Sequence, residues 1–537
     1  MTTAASAAGS PGPDPPGGTG RAPTRGRLPV ALIPLSMTYL AVAMNMTIAT
    51  VALPTISTDV TATGAQLAWI VNATPMAAAA LVLFAGSWAD RLGRKRILQL
   101  GVTIFLLAAV LSAFARSADQ LILLRAITGV GSALAMPTAL ALTFEVTPTS
   151  SRRTAIGIMA ATQAIGAILG PLLGGLALVK FNWGAAFLAV TPFLAVAFIL
   201  NAALLPHDRP RRANTGTATQ VDTIGAILVA VVSISLLYTA AAVPSLTAGW
   251  DEVVATMIAV VALTILVRWE GRTPHPLFVG AVMRRTTFWL PTLVVFSSQL
   301  VLGGLLFLNT QYVQLVLGYS AFGAGLFLLP ALLTWALAAA TAGLTARRLG
   351  VRAVVTGTLL LAASGLTLIG TSGHDPAIGL LLLGLALVGV MGAVPALMTH
   401  MAVQTYPESR RTVGSAINSV SLRLGLAFGV AVFGSVLTLT YALDLRPAVS
   451  TLSTADQSAA TSSLGGALQV ADTLDAPTDD VLAAAARDAF ELGFHRSLMA
   501  GAVLLVIIAV LVFTTLRHNA DRDRTATEST PDHLEAS

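Results

Sequence analysis

The chain alternates between long apolar runs and short polar connections. A helix needs about 20 mostly apolar residues to cross the hydrocarbon core of a bilayer. Runs of roughly this length recur fourteen times, so the pattern predicts an all-α membrane protein with fourteen transmembrane helices. The predicted spans cover residues 29–54, 66–88, 97–114, 121–144, 155–178, 185–205, 224–243, 253–267, 288–308, 321–344, 353–369, 377–403, 413–439 and 498–516.

The composition supports this class and excludes several others. Of the 537 residues, 55% are hydrophobic and 10% are charged, whereas soluble domains carry about 25% charged residues. The chain has no cysteine, which excludes disulfides and thiolate metal sites. Lys95 and Lys180 are the two lysines, and neither is followed by Ser or Thr, which excludes a Walker A phosphate loop. We expect no cofactor and no metal.

The basic residues predict the orientation in the membrane. Most of the 31 Lys and Arg residues fall into segments that share a side with both termini, while the opposite loops hold only Arg116, Lys180, Arg446, Arg487 and Arg496. Cytoplasmic loops carry the excess of Lys and Arg. We therefore predict a multi-pass protein of the plasma membrane with both termini in the cytoplasm. The net charge of +6 lies in these short loops, so we expect the lipid bilayer, and no nucleic acid, as a partner.

An internal repeat divides the chain into two halves. Gly93 after the second span recurs as Gly350 after the tenth, and Gly170 in the fifth span recurs as Gly429 in the thirteenth, at nearly the same shift. Two six-helix halves with an inserted helix pair are the architecture expected of an alternating-access carrier. The predicted parts are a disordered tail at 1–27, a first bundle at 28–205, the inserted pair at 206–287, a second bundle at 288–516 with a long external loop at 441–495, and a disordered tail at 517–537. Within that loop, residues 481–494 are predicted as an external helix or hairpin.

The loop after the second span combines glycines, an acid and a basic cluster, in the residues Gly86, Asp90, Arg91, Gly93 and Arg94. Glycines permit a tight turn between antiparallel spans. A carboxylate at a helix end can bond arginines or a facing helix terminus, and two conformations can make or break that contact. We expect this loop to take part in conformational switching rather than only to fix topology.

Arg125 lies in the fourth span, about 9 Å below its outer end. A cation at that depth costs roughly 2.5–3.5 kcal/mol on insertion scales, so it should face the protein interior and have partners there. Glu145 lies at the inner end of the same span. We expect it to be partly buried and to exchange protons near cellular pH.

The fifth span contains Gly166, Gly170, Pro171 and Gly174. Glycines spaced by four residues allow close helix contact. The Gly-Pro pair adds a predicted bend or hinge.

These motifs together resemble the major facilitator superfamily, over residues 28–520. The loop from Gly86 resembles its GxxxDRxGRR signature, and the fifth span resembles its antiporter motif GxxxGPxxGG, which is typical of exporters. The segment from Asn45 to Pro54 resembles the LDxTIxxxALP motif of the fourteen-helix drug:proton antiporters, a branch that includes quaternary-ammonium-compound exporters. The resemblance implies that Arg125 is tied to proton coupling. Asn45 departs from the family, which usually has a membrane aspartate there.

None of the 25 acidic residues falls in the middle of a predicted span. We therefore expect the cavity to carry excess positive charge, because Arg125 lacks a titratable partner at Asn45. This favours neutral or anionic substrates over lipophilic dications. Polar side chains at depth are the predicted cavity lining, namely Asn45, Asn72, Gln163, Gln299, Asn418 and Arg423.

The sequence thus predicts a monomeric, non-enzymatic, proton-coupled exporter of amphipathic organic molecules, with small molecules and protons as partners. An importer or facilitator of small metabolites is the first alternative, and the Gly170-Pro171 motif argues against it. A polytopic membrane enzyme would need acids, histidines or a metal cluster converging at one depth, and the histidines fall mostly in predicted loops.

Overall fold

The protein is an all-helical bundle with fourteen helices long and apolar enough to cross a membrane, as the sequence predicts. The computed structural model describes residues 30–60, 62–148, 151–206, 208, 222–242, 250–273, 285–373, 377–406, 411–475 and 477–528. The predicted tail at 1–27 lies outside these residues. The first half consists of Leu32–Asp59, Gly64–Leu92, Arg94–Ser112, Ala118–Val146, Arg152–Leu178 and a sixth span broken into Gly184–Leu188 and Thr191–Leu204.

The inserted helices, Thr223–Ala242 and Trp250–Glu270, form a hairpin fastened near both ends. At one end the indole nitrogen of Trp269 donates to the carboxylate of Asp222 at 2.8 Å. At the other end the hydroxyl of Tyr238 donates to Asp251 at 2.6 Å. The hairpin packs through Thr223–Ala242 against the second and thirteenth spans, one from each half.

The second half repeats the arrangement of the first. Its helices are Thr286–Gln311 with a π-helical turn Tyr312–Val316, Ala321–Phe327 with Leu329–Leu349, Val351–Gly370, Ile378–Gly389 with Ala393–Gln404, Arg411–Val449 and Thr478–Glu528. The first span packs on the fifth, and the ninth packs in the same way on the thirteenth. Gly93 and Gly350, which end the second and tenth spans, both have positive φ, of 105° and 82°. These equivalences confirm the internal repeat.

We name the two ends of the bundle by what they carry. The end at which the first span begins, with Leu32 and Gly93, is the tail face. The opposite end carries two short helices, Thr454–Ser462 and Leu464–Ala471, and is the loop face.

The predicted limits of the long loop are wrong. The thirteenth span continues to Val449 and the last helix begins at Thr478, so residues 481–494 are helical but continuous with the fourteenth span. The predicted disordered tail is also partly helical, because the same helix ends at Glu528. At the N-terminal end of this helix, apolar side chains on one face pack against the bundle, since Leu482, Phe490 and Phe494 are buried. This packing explains why residues 481–494 continue the fourteenth span.

Candidate functional site

Arg125 is fully enclosed in the first half and is held by neutral partners. Its side chain is 1% exposed. The guanidinium donates from Nη1 to Asn45 Oδ1 at 2.6 Å and from Nε to the Ile70 carbonyl at 3.1 Å. The ring of Phe187 lies 5.7 Å from its Cζ. Among the described residues no carboxylate pairs with it, so the buried cation is held by amide and carbonyl dipoles and by the Phe187 ring.

Asn45, Asn72 and Arg125 form a polar layer across the first, second and fourth spans, which we call the arginine layer. All three side chains are 1% exposed. The fold supports the layer locally, because the Thr74 hydroxyl donates to the Arg125 carbonyl at 2.8 Å and so links the second and fourth spans. Asn45 Nδ2 and Asn72 Oδ1 are buried without a hydrogen-bond partner.

Arg423 lies where the two halves meet. It belongs to the thirteenth span, yet its Nη2 donates to Met136 Sδ in the fourth span at 3.5 Å. The Tyr39 hydroxyl, from the first span, donates to the carbonyl of the same methionine at 3.4 Å. Nη1 of Arg423 is buried and has no partner. A second guanidinium without a carboxylate partner in the described chain thus faces the seam between the halves.

The remaining predicted cavity residues divide into two groups. Gln299 and Asn418 each leave a buried oxygen without a partner, while the amide nitrogen of Asn418 donates to Thr399 at 2.9 Å. Gln163 differs, because it is exposed. Buried polar atoms are nearly always hydrogen-bonded, so unpartnered atoms at five of the six predicted positions point to groups that a bound molecule or water completes.

The loop after the second span is a turn that closes on the fourth span. Arg94 begins the third span, and its Nη1 lies 3.3 Å from Glu145 Oε2 and 3.4 Å from the carbonyl of Ala141. Gly86 is exposed with open space beside it, and Arg91 is exposed. Asp90 lies in the last turn of the second span, and its side chain lies outside what the structure describes.

The expected partial burial of Glu145 is wrong. Its side chain is 48% exposed, because it projects from the last turn of its helix toward Arg94 instead of into the bundle. Its role in proton coupling stays a prediction, which the ion pair with Arg94 supports and burial does not.

Asp208, which the sequence analysis did not single out, completes this turn. Its carboxylate accepts hydrogen bonds from the backbone nitrogens of Lys95 at 2.9 Å and Arg96 at 3.1 Å. A carboxylate at a helix N-terminus satisfies free backbone donors and the helix dipole. The glycine at 93 leaves room for it, since a Cβ there would overlap the carboxylate. An acid shortly after the sixth span was the available signal, although its partners are far away in sequence.

The glycines of the fifth span form a contact surface for the first span. A Cβ on Gly166 would meet the Leu40 carbonyl, and a Cβ on Gly170 would come within 2.6 Å of the Met44 carbonyl. Gly174 faces Ile48 in the same way. Pro171 is buried within the helix. The second half repeats this contact, with Gly429 against the Leu300 carbonyl.

Contacts between the halves close the loop face, and we call them the loop-face seal. Gln314 Nε2 donates to the Val51 carbonyl at 3.1 Å. Gly175 lies against the backbone of Phe322, and Gly64 lies against Thr438. The small residues at these crossings permit backbone approach. The arginine layer is therefore covered on its loop-face side.

The comparisons with known proteins agree with this architecture. The sequence profile of the Major Facilitator Superfamily matches residues 35–430. The multidrug efflux pump LfrA of Mycolicibacterium smegmatis is 30% identical over 93% of this chain and 98% of that protein. The methyl viologen resistance protein SmvA of Salmonella typhimurium is 29% identical over 91% of this chain and 98% of that protein. The tetracenomycin C resistance and export protein of Streptomyces glaucescens is 28% identical over 96% of this chain and 97% of that protein.

Among solved structures, a bacterial homologue of the human lysosomal transporter Spinster, inward-facing and unoccupied, has a similar fold. Its TM-score is 0.62 at 18% identity, over 91% of this chain and 96% of that chain. The Escherichia coli xylose transporter XylE, in a partially occluded inward-open conformation, gives 0.57 at 12% identity, over 90% of this chain and 97% of that chain.

Proposed function

The chain belongs to the Major Facilitator Superfamily, and from this premise we propose that it is a proton-coupled exporter of neutral or anionic amphipathic compounds. The observation that carries the substrate class is the neutral partnering of Arg125 by Asn45. Two buried guanidinium groups without a carboxylate partner among the described residues would repel cations and attract anions or electron-rich neutral groups on a transport path that passes near them.

We place the tail face in the cytoplasm. The turn at Gly93 carries Arg91, Arg94, Lys95 and Arg96, and its equivalent in the second half follows Arg347 and Arg348. Because positive residues accumulate on the cytoplasmic side, substrate would enter from the cytoplasm while the loop-face seal is closed. Relatives named for drug efflux and antibiotic export support this direction.

Proton coupling would act through the tail-face turn. Arg94 and Glu145 lie on different spans of the first half, and a contact of 3.3 Å between them is available to be made and broken as the halves rock. Asp90, one turn before Gly93, is the second candidate. Protonation of either carboxylate would weaken its attraction to the neighbouring arginines.

Transport in everted membrane vesicles tests the proposal. An acidified lumen should drive accumulation of neutral and anionic amphipaths, and the loss of the pH gradient should stop it. A monovalent lipophilic cation of similar size is the matched probe, and we expect at least tenfold slower accumulation of it, which corresponds to about 1.4 kcal/mol. Uptake in right-side-out cells instead would make the protein an importer, and preference for the cation would contradict the substrate class.

A further inference from the structure

A largely buried acid–base pair lies in the second half, on the last helix and not on the three helices that carry the arginine layer. Glu491 and His495 are one helical turn apart in the last helix, with Glu491 Oε1 4.0 Å from His495 Nε2. Their side chains are 7% and 17% exposed. Both residues fall within the predicted external loop at 441–495. In the structure they belong to the last helix, which begins at Thr478.

Tyr312 connects this pair to the ninth span. Its ring stacks on Phe494 with centroids 4.2 Å apart and planes within 5°, and it lies 6.3 Å from the ring of His495. The Tyr312 hydroxyl is buried without a hydrogen-bond partner. A change of charge at Glu491 or His495 would therefore alter the electrostatic environment of Tyr312, the first residue of the π-helical turn Tyr312–Val316.

The same turn contributes to the loop-face seal. Gln314, two residues after Tyr312, donates across the seam to the Val51 carbonyl in the first half. π-Helical turns are rare and occur frequently at functional sites. One short segment thus contacts both the acid–base pair and the opposite half.

Four charged side chains on the same helix and on the thirteenth span lie near the pair in sequence or packing, and all of them are exposed. Arg487, Asp488 and Arg496 of the same helix are exposed, and so is Asp444 of the thirteenth span. Tyr441 of the thirteenth span donates its hydroxyl to the Ala460 carbonyl. The packed helix Leu464–Ala471 and residues 370–373 of the eleventh span contain no ionisable side chain, and His374 and Asp375 lie outside the described residues.

We propose that Glu491 and His495 form a proton-binding site at the loop face, whose occupancy controls the loop-face seal through Tyr312 and the π-helical turn. A proton from the loop-face solution adds to the imidazole and leaves Glu491 ionised, so a neutral ring becomes an imidazolium that attracts the carboxylate. No bond is broken, and the same proton leaves when the site opens. This inference rests on the proposed proton-coupled transport and adds the site at which external protons act.

The test measures transport in everted vesicles while the luminal pH, which bathes the loop face, varies from about 5.5 to about 8 at a fixed pH difference. The unmodified protein should transport several-fold faster at acidic luminal pH. Glu491→Gln and His495→Gln should each flatten this profile while both variants still insert and bind substrate. Asp488→Asn, an exposed carboxylate on the same helix, is the matched control and should keep the normal profile.

The swap of Glu491→His with His495→Glu restores the pair and should restore the pH dependence, which a purely structural role would not require. A flat profile in the unmodified protein, a normal profile in either single variant, or a flat profile in an inserted swap variant would overturn the proposal. The complete absence of pH-driven transport would instead contradict the proposed function. The two failures are therefore distinguishable.

Discussion

At the scale of single residues, Asn45 leaves the positive charge of Arg125 in the arginine layer unneutralised, because its amide is neutral. Its Oδ1 accepts the 2.6 Å hydrogen bond from Arg125, and its own Nδ2 has no partner. Substitution with aspartate would replace a dipole by a full negative charge at the same position. Because the site is buried, solvent would screen this charge only weakly.

We therefore predict that Asn45→Asp shifts selectivity toward cations. Efflux of a monovalent lipophilic cation should rise about tenfold relative to a neutral substrate, the effect of roughly 1.4 kcal/mol. Competition between the two substrates in vesicles measures the ratio. Asn201→Asp is the matched control, since Asn201 is also buried but bonds Thr38 instead of an arginine. An unchanged ratio in Asn45→Asp would remove the argument for a positive cavity.

Glu145 supports a second prediction at this scale. Its exposed ion pair with Arg94 should contribute less than about 1 kcal/mol to stability. Glu145→Gln should therefore insert normally yet lose most pH-driven accumulation, because the contact that changes between states is gone. Exchange of the two residues, by Arg94→Glu with Glu145→Arg, should recover part of the activity. Full accumulation by Glu145→Gln would exclude it as the coupling acid.

The sequence predicted that most of these polar residues are buried, but it did not predict their surroundings. Arg125 and Asn45 could be paired in advance, because depth in a span follows from residue number. The exposure of Glu145 and the burial of Glu491 could not, because both depend on where a helix ends and which neighbour covers its last turns.

At the scale of elements, the contact between the first and fifth spans leaves no room for a side chain at Gly170. A Cβ there would lie 2.6 Å from the Met44 carbonyl, a backbone atom that cannot rotate away. Gly157 lies on the same helix and has open space beside it. The two glycines form a matched pair for testing close helix approach.

We predict that Gly170→Leu abolishes transport and that Gly157→Leu leaves it within about twofold of the unmodified protein. Both variants should reach the membrane, because insertion depends on hydropathy rather than on this contact. Efflux normalised to membrane protein decides the comparison. If Gly170→Leu leaks substrate down its gradient, the glycine face acts as a barrier between states and not as a moving contact.

The apolar runs in the sequence located all fourteen membrane helices, but they did not define where each helix begins and ends. The last helix extends well beyond its apolar core at both ends, from Thr478 to Glu528. Residues 481–494 have a helical composition without a membrane signal, so the sequence predicted an external helix or hairpin there, separate from the fourteenth span. Packing of Phe490 and Phe494 against the second half resolves the ambiguity.

At the scale of the whole molecule, the structure captures a state closed at the loop face. Val51 and Gln314 belong to different halves and meet there. An opposite state must separate them, since alternating access requires the seal to open when the tail face closes. The chain contains no cysteine, so two introduced cysteines would be the only thiols available to form a disulfide.

We predict that Val51→Cys with Gln314→Cys forms an oxidative cross-link that stops transport, and that reduction restores it. A cross-link within one half should be harmless. Gln66→Cys with Asp119→Cys provides this control, because Gln66 Nε2 donates to Asp119 Oδ1 at 3.0 Å within the first half. Undiminished transport by the fully cross-linked 51–314 protein would show that the loop-face seal does not open during turnover.

The repeat in the sequence predicted two equivalent halves, and both glycine contacts and both positive-φ turns agree with it. The repeat could not predict how the two halves differ. Arg125 is enclosed within the first half, whereas Arg423 reaches across the seam to Met136. Such asymmetry arises from side chains that the repeat does not share.

We expect the two guanidinium groups that lack a carboxylate partner among the described residues to make the carrier sensitive to membrane voltage. A cell interior is negative, and one elementary charge moved through 100 mV changes the free energy by about 2.3 kcal/mol. If the tail face lies in the cytoplasm, as we propose, the voltage would favour the empty carrier in its cytoplasm-open state. A bound anion cancels part of this charge and lowers the electrical barrier to reorientation. The empty carrier would then change conformation slowly and the substrate-bound carrier quickly, because the bound anion acts as the counter-ion of the arginines.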